Sequence, residues 1–131
     1  MFLQVMNTEE KEKFFELVYK IANIDGEYAE EEQEIVNSYK NELGLSKVPE
    51  TSDIDGLVRY FSAKATELKK IVLFETVGLI NADEKIEKED ADLLDKMSGA
   101  FGLDKDVVDR IKSVAKKLQD VYDEVYSALF D

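Results

Sequence analysis

The chain has 131 residues, with 30 acidic and 17 basic side chains, a net charge of -13, no His, no Cys, no Trp and a single Pro. No disulfide, thiolate nucleophile, zinc-thiolate site or Ser-His relay can be built from these residues. Nucleic acid is excluded as an expected partner, because counterion release needs clustered Lys and Arg. The carboxylates, lysines, tyrosines and hydroxyls that remain suit hard cations better than catalysis, so the expectation is a protein that is not an enzyme.

At 44% hydrophobic and 36% charged, the composition is that of one folded domain rather than a disordered segment. The longest apolar stretch, Ile71 to Ile80, is interrupted by Glu75 and Thr76, and Met1 to Met6 lacks the features of a secretory signal. A cytoplasmic location without membrane association is expected.

Helical periodicity runs almost throughout, with no convincing strand pattern. The spacing predicts an all-α, single-domain bundle of about six helices. The first starts at Asn7, whose side chain can cap the turn containing Glu10, and carries Phe14, Val18 and Ile21 on one face. It ends near Asn23. A second helix begins near Ala29, has Glu30, Glu31 and Glu32 in its first turn, where the helix dipole favours negative charge, and buries Ile35, Val36, Tyr39 and Leu43. Gly44 is a ready left-handed stop.

Residues 45 to 52 read as the longest loop, after which Ser52 and Asp55 offer a capping box for a helix bearing Ile54, Leu57, Val58 and Phe61. From Ala65 to about Ala82 comes a helix apolar on nearly all sides, which belongs at the centre of a bundle. Gly78 inside it suggests a close helix crossing. A helix from about Lys88 to Ala100 follows, with a stop at Gly102. The last helix, 104–130, has Val107, Ile111, Val114, Leu118, Val121 and Val125 at alternating spacings of four and three. That stripe can pack on the protein's own core, the more ordinary outcome, or pair with another protein or a second copy.

Sliding the sequence by 58 residues aligns two halves, about 8–45 and 66–103. Asn23-Ile24-Asp25 falls on Asn81-Ala82-Asp83, Glu31-Glu32 on Glu89-Asp90, and Leu43-Gly44-Leu45 on Phe101-Gly102-Leu103. Each half reads as helix, acidic turn, helix with an acidic start, and Gly-Leu stop. Much of the negative charge is concentrated there: six acids and no base from Asp25 to Glu34, and seven acids against two lysines from Asp83 to Asp95.

In each turn an acid is followed seven residues later by a second: Asp25 with Glu32, and Asp83 with Asp90. Brought together by the repeat, with Glu31 and Glu89 as helpers, these oxygens suit Ca²⁺ or Mg²⁺. The bland alternative is that they stabilise turns and helix caps. An EF-hand fails at its first ligand, where Ile21 and Leu79 stand.

At these residues the sequence resembles the TerB-like family of tellurite-resistance proteins and their relatives. The matching segments are Ile24-Asp25-Gly26-Glu27-Tyr28-Ala29-Glu30-Glu31-Glu32 and, more loosely, Ala82-Asp83-Glu84-Lys85-Ile86-Glu87-Lys88-Glu89-Asp90. The resemblance covers about residues 8–115. Tyr28 stands where the family has an aliphatic residue, Glu84 replaces a glycine, and the C-terminal helix is an addition. The resemblance implies two helical hairpins related by a pseudo-two-fold axis, clustered acids that bind a metal ion, and a role in the response to tellurite or another stress. A protein-interaction module with no bound ion is the competing expectation. It would use the C-terminal helix or the local basic island of Arg59, Lys64, Lys69 and Lys70.

Overall fold

A computed structural model describes residues 2–23, 30–45, 50–81 and 88–131. A 3-10 turn, Leu3–Val5, precedes six α-helices: α1 (Thr8–Ala22), α2 (Glu30–Leu43), α3 (Ile54–Ser62), α4 (Thr66–Asn81), α5 (Lys88–Ala100) and α6 (Lys105–Phe130). Strand is absent among the described residues, and the architecture is an all-α bundle.

Local chemistry explains most of these boundaries. Asn7 and Glu10 form a reciprocal capping box, with Asn7 Oδ1 accepting from the Glu10 N–H at 2.8 Å and Glu10 Oε1 accepting from the Asn7 N–H at 2.9 Å. Gly44 and Gly102 end α2 and α5 at φ of 70° and 64°, in the left-handed region where a Cβ is strained. The start of α3 differs from the expected capping box. Asp53, not Ser52, is the N-cap, and its Oδ1 accepts from the Gly56 N–H at 2.8 Å. The Ser52 N–H is committed elsewhere, to a carboxylate of α1.

α4 lies at the centre, packed against α1, α3, α5 and α6, while α1 packs on α2 and α3. Its buried residues, Val72, Leu73, Glu75, Thr76, Val77, Leu79 and Ile80, face several neighbours at once. This is why its apolar pattern lacks a polar side. Phe14 and Tyr39 meet edge-on at 5.3 Å between ring centroids and join α1 to α2. The amino-terminal segment adds Leu3 and Met6 to the same core, a contribution too short to show as periodicity.

Gly78 does not serve a close helix crossing. A Cβ built there meets nothing within 4 Å, and the residue instead borders an open cleft between α2, α4 and α6.

Candidate functional site

The acids expected to hold a cation are placed only in part. Asp25 and Asp83 lie outside the described residues, as do the side chains of Glu31 and Glu32, whose backbone forms the first turn of α2. In the first turn of α5, Glu89 is exposed and Asp90 half-buried. Among the described residues no three acidic side chains are grouped so as to hold a metal ion.

Besides Glu10, which is buried in the α1 cap, two other described carboxylates are buried, Glu16 and Glu75. Glu16, on the inner face of α1, is 0% exposed. It accepts from the Thr51 N–H at 2.8 Å, the Thr51 hydroxyl at 2.7 Å and the Ser52 N–H at 2.9 Å, with Lys20 Nζ at 3.4 Å. Lys20 in turn donates to the Ser52 carbonyl. Burial pushes the Glu16 carboxyl up, but the hydrogen bonds from Ser52 and Thr51 and the contact with Lys20 outweigh it and hold it below its ordinary value. Its acceptor capacity is spent on tying residues 51 and 52 to α1, so Glu16 has a structural role.

Glu75 of α4 accepts from the Tyr39 hydroxyl at 2.6 Å and from the Phe2 N–H at 3.4 Å. Burial, reinforced by the neighbouring Glu75 carboxylate, pushes the Tyr39 hydroxyl well above the ordinary tyrosine value, so it stays a donor at neutral pH. Tyr39 thereby links α1, through Phe14, to α4, through Glu75. Both buried acids left a signal in the sequence: Glu16 is flanked on each side by two core residues, and Glu75 interrupts the apolar run of α4. An acid at a core position implies dedicated hydrogen-bond donors, and only the fold identifies them.

Beside Glu75 is a cleft of about 360 Å³, bordered by Tyr39, Glu42, Gly78, Leu118 and Tyr122 among others. Its far wall is α6. A helix rises ~1.5 Å per residue, so the 26 residues of α6 outrun the 16 of α4 by about three turns in length. The amino-terminal half of α6 rests on the core through Val108 and Ala115, with Ile111 packed beside them. Beyond Gln119 every residue is exposed. The stripe expected from the sequence therefore divides. Val121, Tyr122, Val125, Tyr126, Leu129 and Phe130 are 48% to 70% exposed and contiguous along the overhang. Monomeric proteins rarely leave such a run uncovered.

The residues of the basic island lie on α3, on α4 and at the corner between them. Lys64 pairs with Glu10 at 3.3 Å and lies 4.7 Å from the Tyr60 ring centroid. Arg59 and Lys70 are exposed and Lys69 is half-buried. No helix among the described residues is long and apolar enough to cross a membrane. In comparison with known proteins, the chain matches no family model, no curated protein and no solved structure.

Proposed function

We propose that the chain is a non-enzymatic, cytoplasmic helical interaction module that docks a protein through the exposed stripe of α6. One observation supports this reading above the others: six large apolar side chains stand exposed on the overhanging half of a single helix. Scattered apolar residues are ordinary on a protein surface, whereas a contiguous stripe marks an interface. Photocrosslinking in cells tests it. A benzoylphenylalanine in place of Tyr126 is expected to trap a protein of defined mass, and the same probe in place of Ser113, exposed but off the stripe, is not. Absence of any adduct from Tyr126 refutes the reading.

A second reading is a TerB-like domain in which Asp25, Glu32, Asp83 and Asp90 hold Ca²⁺ or Mg²⁺ in a stress response. It is favoured by the packing of α1 on α2 and α4 on α5, so that each repeated acidic turn joins a packed helix pair. Calorimetry with Ca²⁺, Mg²⁺ and Mn²⁺ separates the two readings. Heat that is lost in Asp25→Asn and Asp83→Asn supports the ion, and no heat at millimolar metal excludes it.

A further inference from the structure

Resting on the docking reading, we infer that the occupant of the α6 stripe is a second copy of this chain, its α6 running antiparallel to the first about a two-fold axis near Asp120. Val107, Ile111, Val114, Leu118, Val121 and Val125 follow the four-three spacing of a coiled-coil seam. Val107, Ile111 and Leu118 are half-buried, whereas Val114, Val121 and Val125 are exposed. The neighbouring positions Val108 and Ala115 rest on the protein's own core with Ile111 packed partly against it, so the seam borders that contact and keeps an open flank along Val114, Val121 and Val125.

Charge selects both the partner and its direction. Residues 105–117 hold five bases and two acids, whereas 118–131 hold four acids and no base. Antiparallel copies lay each half against its opposite. The match extends to single positions: the residues that flank the seam on its outer side are Arg110, Lys117, Glu124 and Asp131, all exposed. With Leu118 opposite the partner's Val121, Lys117 faces the partner's Glu124 and Arg110 faces the partner's Asp131, each pair occurring twice by symmetry.

In a parallel pair those same charges would face the other flank, where Ala115, Tyr122 and Leu129 are uncharged. No ion pair would form, so the parallel arrangement has no electrostatic support. In the antiparallel pair the two domain bodies lie at opposite ends of the helix pair, since each rests on the amino-terminal half of its own α6.

Sedimentation equilibrium of the full chain tests this. The expected result is a reversible species of twice the 15.0 kDa chain mass that weakens as salt is raised. Lys117→Glu or Glu124→Lys each turns two attractive contacts into repulsive ones and should raise the dimer Kd on the order of tenfold. The double variant K117E/E124K should restore it. All these side chains are exposed, so unchanged circular dichroism and unchanged thermal unfolding of the dilute monomer separate pairing from folding. A strict monomer at about 100 μM overturns the inference, and so does a dimer indifferent to both charge reversals. The docking reading survives either result if the Tyr126 crosslink reports a different protein, and fails with it if no adduct forms.

Discussion

Glu16 offers the sharpest test of how the fold is held together. Replacing it by Ala removes one acceptor from three hydrogen bonds, two of them donated by backbone N–H groups that begin the approach to α3. Hydrogen bonds to a charged group contribute ~1.5–3 kcal/mol each. Thr51 is exposed and can recover water, so the net loss should fall below the full value of three bonds. A destabilisation of about 3–4 kcal/mol is expected, a large part of the ~5–15 kcal/mol that holds a domain together. At ~3–5 °C per kcal/mol for a chain of this size, Tm should drop by about 10–15 °C. Glu16→Gln keeps one carbonyl oxygen but sets an amide N–H₂ against donors, and should lose about half as much.

The pH dependence separates the charge from the packing. The folded carboxyl lies below its ordinary value of 4.5, so its contribution is fully present above the unfolded value and is lost as pH falls through the folded one. The stability of the wild type minus that of Glu16→Gln should therefore be constant near neutrality and shrink in acid. Thermal unfolding followed by circular dichroism from pH 7 to pH 3 measures it. A Tm loss under about 3 °C for Glu16→Ala, or a difference curve flat into acid, would refute the assignment of Glu16 as the charged anchor of residues 51 and 52.

Three further substitutions probe other parts of the bundle. Gly78→Ala should raise stability by about 0.5–1 kcal/mol in urea unfolding, since a helix-interior glycine is replaced where a Cβ meets open space; a destabilised variant would mean that the helix crossing is closer than described. Gly102→Ala should do the opposite by about 1 kcal/mol, because φ is +64° there. Tyr39→Phe removes the donor to Glu75 while keeping the ring against Phe14. It should cost about 1–3 kcal/mol in the same assay, and an unchanged denaturation midpoint would show that water replaces the hydroxyl.

The order and type of the helices were legible in the sequence because each depends on local rules. Asn7 with Glu10, Gly44 and Gly102 are start and stop signals written in neighbouring residues. The apolar stretch of α4 has no polar face because a central helix is surrounded. Sequence also carries the two repeated acidic stretches and the four-three apolar spacing of α6, as patterns of charge and spacing. Tertiary structure decided matters that turn on contacts between distant residues. Whether Ser52 or Asp53 caps α3 depended on Glu16, 36 residues earlier, taking the Ser52 N–H. The space beside Gly78 was set by where α2 and α6 lie. The division of the α6 stripe into a packed half and an exposed half followed from the unequal lengths of α4 and α6. Periodicity records that a face is apolar, but only the placement of neighbours determines what covers it.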